Sequence, residues 1–441
     1  MIRLRGGCNN CRRHRKKCDQ QRPCCTRCKS RGYECSGYSN PPRWVNYAAD
    51  PTVSSNPAPQ DVTSSLALPA PPPKYETHMT QPLFQQYVNY GLRMFCKGYS
   101  KSWIQPYFVD MSTQSPSVLI LSAAIQLYIN QGSSVPALEC VDLALRTFRY
   151  EVVSYRDTVS AGTLSAGVLL CKLNFLQAQP CTPYICMMSE VYHLNTQMNF
   201  LVLQQNVVVR HALELLAVMD IPQFVLGRVC PSLGLWKRFR EAQDTWEGGR
   251  LRGIEVVSGM PMDLLDIFAD AAHDDTENLI LRLSEWEWQG DTAEYLQYNL
   301  WDAWRLAGIV DLRRRERCRR RLQNTQADYD ADESCADTSV LDRLMAVISI
   351  IFDDSRLPKY RHVLIGLIFP LVVASLEVPY LKRHTRAKQI VDDVQNAIKA
   401  ERTYNLTKVV FRILDDAWND GSSCYDIDAR ARFQGVEVAL M

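Results

Sequence analysis

The chain has 441 residues, 46% of them hydrophobic and 22% charged, and a formal net charge of only +2. That composition supports a sizeable core spread over two or three domains and excludes a uniformly basic, disordered or collagen-like chain. Its most apolar stretch, VLIGLIFPLVVASLE from Val363, is shorter than the roughly twenty residues a membrane-spanning helix needs and carries Pro370 inside.

The N-terminus, MIRLRGGC, has no apolar run of the kind that directs secretion, so a reducing compartment without membrane attachment is expected. The same spacing then occurs twice. Cys8, Cys11 and Cys18 read C-x2-C-x6-C, and Cys25, Cys28 and Cys35 repeat it 17 residues later. Cys24 alone breaks the pattern and reads as a neighbour that is not a ligand.

Structural zinc takes four thiolate or imidazole ligands in a tetrahedron. Six thiolates serve two zinc ions only if two of them each bridge both metals. The repeat singles out Cys8 and Cys25, which open the two halves. One zinc then takes Cys8, Cys11, Cys18 and Cys25, and the other takes Cys25, Cys28, Cys35 and Cys8. A unit of about thirty residues has almost no core, so metal binding must supply most of its folding free energy. A disulfide framework, a single four-cysteine site and a redox C-x-x-C each explain the repeat less well.

From Met1 to Cys35 there are eleven Lys or Arg against Asp19 and Glu34, a formal +9, so the remainder of the chain is net −7. This asymmetry places a polyanion footprint on the first segment. The run RRHRKK between Cys11 and Cys18 has helical propensity, and a short metal-pinned helix there directs long cationic side chains to phosphates and to guanine edges in the major groove. A solvated basic face or a nuclear import signal is the plainer reading of such a run.

The stretch resembles the zinc binuclear cluster of fungal transcription factors, in its spacing and in its CRxxxxKCD and RPxCxRC flavour. The resemblance covers about thirty residues. It implies a nuclear, sequence-specific, DNA-binding regulator of RNA polymerase II genes that reads CGG-type triplets of double-stranded DNA, with a secondary-metabolite gene cluster as one plausible target. It also implies that Arg12, Arg13, His14, Arg15, Lys16 and Lys17 form the DNA-reading helix, that Arg15 and Lys16 come nearest to base edges, that Lys17 meets phosphate and that Pro23 occupies the joining loop. His14 stands where the family often has Arg or Lys.

The expected fold is mostly α in three parts: a zinc cluster over residues 1–36, a disordered Pro/Ser-rich linker over 37–81, and a large all-helical domain over 82–441. In the linker Pro41, Pro42, Pro51, Pro57 and Pro59 forbid a long coiled coil. That leaves a monomer on DNA or a homodimer built by the helical domain, which is also the place for a coactivator or a small-molecule effector. Helical periodicity runs from Pro82 onward, as in VPALECVDLALRTFRYEVVSY, with Leu138, Val141, Leu145, Phe148 and Val152 on one face. The segments AVMDIPQFVLGRVCPSLGLWKRFR from Ala217 and GIEVVSGMPMDLLDIFADAA from Gly253 resemble the helical C-terminal region of fungal zinc-cluster regulators. By their own residues they read as an apolar loop docked on the bundle and a proline-started helix, with packing favoured over a ligand pocket.

Trp286, Trp288, Tyr295, Tyr298, Trp301 and Trp304 read as core. RRRERCRRR, Arg313 to Arg321, reads as an exposed helix end or a short disordered loop after a helix finishing near Leu312, with the acidic ADYDADESCAD that follows able to pair with it and an import signal as the sharper alternative. DDTEN at Asp274 faintly resembles the metal motif of terpene cyclases, and Asp353-Asp354 has no matching second motif. No catalytic residues are assigned and no enzyme activity is expected. An interaction protein using the zinc module on a protein or RNA partner, and a helical isoprenoid-type enzyme with a vestigial cluster, are the competing classes.

The register generates a direct test: Cys24→Ser keeps two zinc ions per chain and Cys25→Ser does not, as measured by metal analysis of purified protein. Equal zinc loss in the two variants refutes it.

Overall fold

The computed structural model describes residues 11, 16–19, 25–33, 35, 77–92, 104–154, 161–192, 207–271, 275–290, 294–323, 335–357, 360–401 and 404–441. Of the linker expected over 37–81, residues 37–76 lie outside these, and residues 77–81 are helical, so the expected boundary at 81 is too late. The chain divides into two units, Met1–Leu66 and Ala67–Met441.

The first unit contributes one described helix, α1 (Thr26–Ser30). The second is a helical array. It begins with α2 (Thr77–Gln86), α3 (Ile104–Gln114), α4 (Pro116–Gln131), α5 (Val135–Ser154), α6 (Ala161–Gln177), α7 (Thr182–Val191) and α8 (Val207–Met219). After a two-residue strand, β1 (Val225–Leu226), come α9 (Leu235–Gln243), α10 (Met262–Asp270), α11 (Thr276–Glu285) and the long α12 (Tyr295–Gln323). Then follow α13 (Cys335–Ser355), α14 (Ile368–Leu376), α15 (Val378–Arg383), α16 (Thr385–Glu401), α17 (Asn405–Asp420), α18 (Ile427–Phe433) and β2 (Val438–Ala439). The mostly helical expectation is met, and one helix start shifts: α2 opens at Thr77, so Pro82 sits inside it.

Local sequence explains the central elements. Ser115 caps α4 by accepting the Val118 N–H, and Pro116 fills the first helical position, where no N–H is needed. The helix is apolar on nearly all sides and is buried from Ser117 to Tyr128. It packs along α5 and α6, and α12 packs along α13 and α14. The apolar stretch from Val363 becomes a 3-10 turn and then α14, which is buried throughout. Among the described residues no helix is long and apolar enough to cross a membrane.

Four rings join the halves of this unit. Phe224 lies 5.2 Å from Phe268, 5.0 Å from Trp304 and 5.8 Å from Phe369, mostly in edge-on geometry. The Trp301 and Trp304 indoles donate to the carbonyls of Gly259 and Gly366, both at 2.7 Å. Those two tryptophans are core as expected, whereas Tyr295 and Tyr298 are exposed.

The segment 220–235 is the apolar loop the sequence suggested, and two buried carboxylates hold it. Asp220 accepts the Arg228 guanidinium at 2.8 Å, the Leu233 N–H at 2.9 Å and the Leu235 N–H at 3.1 Å. Gly234, which precedes α9, has no side chain to cap that helix, and Asp220 does it from the preceding turn. Glu437, fully buried, accepts the backbone N–H groups of Cys181 (2.7 Å), Thr182 (2.9 Å) and Val229 (2.6 Å), and the Thr182 hydroxyl. An antiparallel pairing of β1 with β2 closes the loop against the C-terminal residues, a small strand element absent from the all-helical expectation. Gly227 has φ +72°, and a Cβ there would collide with the Val436 carbonyl.

Of the two readings of the second basic run, helix end or short loop, the structure shows the helix end. The run forms the last turns of α12, eleven residues beyond the expected end at Leu312. Arg314 and Arg315 bind Asp311 at 3.1 and 2.6 Å, Arg317 binds Glu377 at 2.5 Å, and Arg320 binds Glu316 at 2.9 Å. Burial raises the Asp311 pKa, but Arg315 and Arg314 more than offset this and leave it below the ordinary value.

Two outcomes follow from this network. Glu437→Gln turns an acceptor into a donor facing backbone N–H groups, and urea unfolding of the full chain should show a loss of about 2–3 kcal/mol. Because the folded pKa of Asp311 is lowered, its contribution is present above the unfolded value near 4 and is lost as the pH falls through the folded pKa. Asp311→Asn should therefore lower stability at pH 7 and flatten the acid limb of the stability curve below about pH 4.

Candidate zinc centre and nucleic-acid interface

The first unit is built around sulfur. Cys11, Cys25 and Cys28 are buried in a chain segment too short to have any other core, and Cys18 and Cys35 pack against them half-buried. The Cys11 and Cys25 sulfurs are 3.7 Å apart. A zinc tetrahedron with Zn–S bonds of about 2.3 Å separates its sulfurs by about 3.8 Å, so the pair already has metal-ligand spacing and is far too long for a disulfide. The Sγ atoms of Cys11, Cys25 and Cys28 all lie within 4.8 Å of one another. So do the Cys18 sulfur, the Cys25 sulfur and an Asp19 carboxylate oxygen. Cys25 is common to both groups, while Cys11 and Cys28, expected on different zinc ions, fall in the same one and Cys35 in neither.

Backbone geometry positions these ligands. Cys25 stands at the N-cap of α1 in extended conformation, and its sulfur accepts the Cys28 N–H at 3.3 Å. One helical turn therefore brings both cysteines of the C-x2-C to the same side. Gly32, at φ +65°, ends the helix, and the Tyr33 N–H returns to the Cys28 carbonyl at 2.9 Å. This reversal aims the chain back so that Cys35 reaches the cluster. In the first half the Lys16 N–H donates to the Cys11 carbonyl at 2.9 Å.

Asp19 is the residue that spacing arithmetic missed. Its two carboxylate oxygens accept the Thr26 N–H at 3.2 and 3.1 Å. The bond spans the two halves of the repeat and satisfies the first free donor of α1. A hint was available: Asp19 directly follows Cys18 and is one of two acids in a strongly basic segment.

Of the expected ligands, Cys11, Cys18, Cys25, Cys28 and Cys35 come together, while Cys8 and its neighbour-pattern exception Cys24 lie outside the described residues. Arg12, Arg13, His14 and Arg15 also lie outside them. Lys16 and Lys17 are exposed, as are Lys29 and Arg31 around α1. Among the described residues the only groups of metal-ligating side chains close enough to share an ion are the two in this cluster. Asp353 instead pairs with Arg356 on the surface at 3.4 Å.

Comparison with known proteins places this segment. Residues 6–45 match the fungal Zn(2)-Cys(6) binuclear cluster domain. Over 65 residues the chain is 38% identical to the pestheic acid cluster transcriptional regulator 3 of Pestalotiopsis fici, an overlap of 15% of this chain and 10% of that protein. Over 37 residues it is 54% identical to the aspercryptin biosynthesis cluster-specific transcription regulator atnN of Emericella nidulans, 8% of this chain and 6% of the relative. The transcription factor phomR of Diaporthe leptostromiformis is 43% identical over 47 residues, 11% and 7% of the two chains. The matches thus span about a tenth or less of these relatives. No solved structure matches the chain. Sulfur geometry and family match agree, and the N-terminal segment of this chain belongs to the fungal Zn(2)-Cys(6) binuclear cluster domains, which bind two zinc ions.

Proposed function

We propose that the chain is a sequence-specific DNA-binding regulator of transcription that acts in the nucleus. The observation that carries this reading is the pairing of a two-zinc cluster domain with a cationic run framed by its own ligands, Arg12 to Lys17 between Cys11 and Cys18. In this reading Cys8, Cys11, Cys18, Cys25, Cys28 and Cys35 hold the two zinc ions, with Cys8 and Cys25 bridging. The thiolates saturate both metals, so the zinc organises the backbone and leaves no open position to activate water. Arg12, Arg13, His14, Arg15, Lys16 and Lys17 then face DNA, with phosphate contacts setting register and Arg15 and Lys16 nearest to base edges of a CGG-type triplet.

The domain limits that fit this reading are 1–36 for the cluster, a linker from 37 that ends before α2 opens at Thr77, earlier than the expected 81, and a regulatory helical part from there to 441. The latter is the place for a homodimer contact or a coactivator, and it resembles the helical C-terminal region of fungal zinc-cluster regulators. We assign it a regulatory and not a catalytic role, supported by the relatives, whose names mark them as transcription regulators. Two of those names refer to biosynthetic clusters, which supports a secondary-metabolite gene cluster as the target here.

Enrichment of duplexes from a random pool by the full chain tests the reading, with a CGG-type triplet as the expected product. Arg15→Ala should weaken binding to that duplex about 5- to 100-fold and a scrambled duplex far less, as titrated at fixed salt. Uniform weakening would make Arg15 a phosphate contact, and the absence of any enriched sequence would move the module to an RNA or protein partner.

A further inference from the structure

Six thiols of the helical unit stand in three neighbouring pairs: Cys171 with Cys181, Cys186 with Cys230, and Cys318 with Cys424. The pairs differ in what surrounds the sulfur. Cys171 and Cys181 are fully buried, and the Cys181 thiol donates to the Glu437 carboxylate at 3.3 Å. Cys186 and Cys230 are half-buried beside the Asp220 carboxylate, which opposes a second negative charge. Cys318 and Cys424 are half-buried among arginines.

Cys318 is the cysteine inside the run RRRERCRRR. One face of α12 grips the turn between α17 and α18 through residues spaced four and three apart. Arg314 donates to the Tyr425 carbonyl at 3.4 Å, the Cys318 thiol to the Ser423 carbonyl at 3.9 Å, and Arg321 to the Ser423 hydroxyl at 3.4 Å. That register sets the Cys318 and Cys424 side chains against each other as hydrogen-bond partners. Arg314 and Arg315 pair with Asp311, Arg317 with Glu377, and Arg319 and Arg320 with Glu316, whereas Arg321 places Nη1 3.7 Å from the Cys424 sulfur. A guanidinium against a half-exposed sulfur is the setting in which a cysteine reacts, because the cation stabilises the thiolate that attacks. Burial, and after it the hydrogen bond with Cys424, pushes the Cys318 thiol up to about 12, so Cys318 keeps its proton. The two sulfurs are unequal, one placed to attack and the other to follow.

We propose that Cys424 and Cys318 form a reversible disulfide in response to hydroperoxides, with Cys424 as the attacking thiol and Cys318 as the resolving one. In the first step the Cys424 thiolate attacks a peroxide oxygen. An S–O bond forms, the O–O bond breaks, and the departing hydroxide takes the proton that left Cys424, giving a sulfenic acid and water. In the second step the Cys318 sulfur attacks the Cys424 sulfur. An S–S bond forms, the S–O bond breaks, and the hydroxide leaves as water with the Cys318 proton. The two sulfurs together lose two electrons, and the peroxide gains them. A dithiol reductant reverses the bond by exchange. Oxidation ties the last turns of α12 to the turn that opens α18, whose Asp428 accepts the Gly227 N–H at 2.8 Å. This goes beyond the DNA-binding reading and does not depend on it.

The test treats the reduced full chain with a small excess of hydrogen peroxide, alkylates the remaining thiols and digests with an endoproteinase that cuts ahead of aspartate. Mass spectrometry should show peptides 311–327 and 420–425 joined by a bond that dithiothreitol cleaves. Reading the bond by position keeps it apart from oxidation of the N-terminal cysteines. In Cys318→Ser, dimedone should trap a sulfenic acid on Cys424, and in Cys424→Ser it should leave Cys318 unlabelled. Arg321→Gln should slow cross-linking about five-fold. No such cross-link in the wild-type chain, equal dimedone labelling in the two serine variants, or an undiminished rate in Arg321→Gln would each overturn the proposal. The wild-type cross-link is read even if a variant fails to fold.

Discussion

The N-terminal module depends on one atom, the Cys25 sulfur. It ends the connection from the first half of the repeat, caps α1 by accepting the Cys28 N–H, and lies 3.7 Å from the Cys11 sulfur. It is also the member common to both groups of candidate metal ligands, three sulfurs in one and two sulfurs with an Asp19 oxygen in the other. A segment this small buries too little apolar area to offset the entropy of ordering its backbone. Zinc–thiolate bonds supply the difference, about 10–16 kcal/mol for a structural site in small zinc modules. The fold of the module and the loading of its metals are therefore one equilibrium. Gly32 reversing the chain and Asp19 holding the Thr26 N–H both serve to present sulfur to the cluster.

The helical unit solves the opposite problem. It has apolar area in abundance, and its difficulty is irregular backbone inside the core. Residues 220–235 leave the helical pattern and so lose the automatic pairing of N–H with carbonyl. Two carboxylates collect those donors. Asp220 serves the loop from within, and Glu437 serves it from the far end of the chain. Each carboxylate accepts from several groups at once, which is how a buried charge becomes tolerable without a metal. The loop in turn delivers Phe224 into the ring cluster with Phe268, Trp304 and Phe369. Polar satisfaction and aromatic packing thus rest on the same few residues.

What was legible in the sequence divides along these lines. Cysteine spacing exposed the metal centre because thiolate number and zinc geometry leave few solutions. Helical periodicity exposed most of the large unit because a 3.6-residue apolar stripe is a local signal. Pro116 and Ser115 marked a helix start for the same reason. Long-range polar contacts were not legible. Nothing near Glu437 indicates that its partners are Cys181, Thr182 and Val229, more than two hundred residues away for each. The two-residue pairing of β1 with β2 is equally silent, since so short a strand has no period. The end of α12 was misjudged because a run of arginines resembles a solvated tail, whereas Asp311, Glu316 and Glu377 pair with it in the fold. Asp19 escaped because ligand counting looks at cysteines and ignores the group that holds them.

That misjudged helix bears on function through charge. Two basic runs occur in the chain, and by composition either could meet a polyanion. In the second run Arg314 and Arg315 are bound to Asp311, Arg317 to Glu377, and Arg319 and Arg320 to Glu316. Counterions supplied by the protein itself weaken a field that would otherwise attract phosphate. The first run lies in a segment of formal +9 with only Asp19 and Glu34 to oppose it, and Asp19 is engaged with the Thr26 N–H. Lys16 and Lys17, the described members of that run, are exposed. The electrostatic asymmetry of the chain thus has two sources: a composition that puts a formal +9 on the first 35 residues, and ion pairs that compensate the second basic run within the fold.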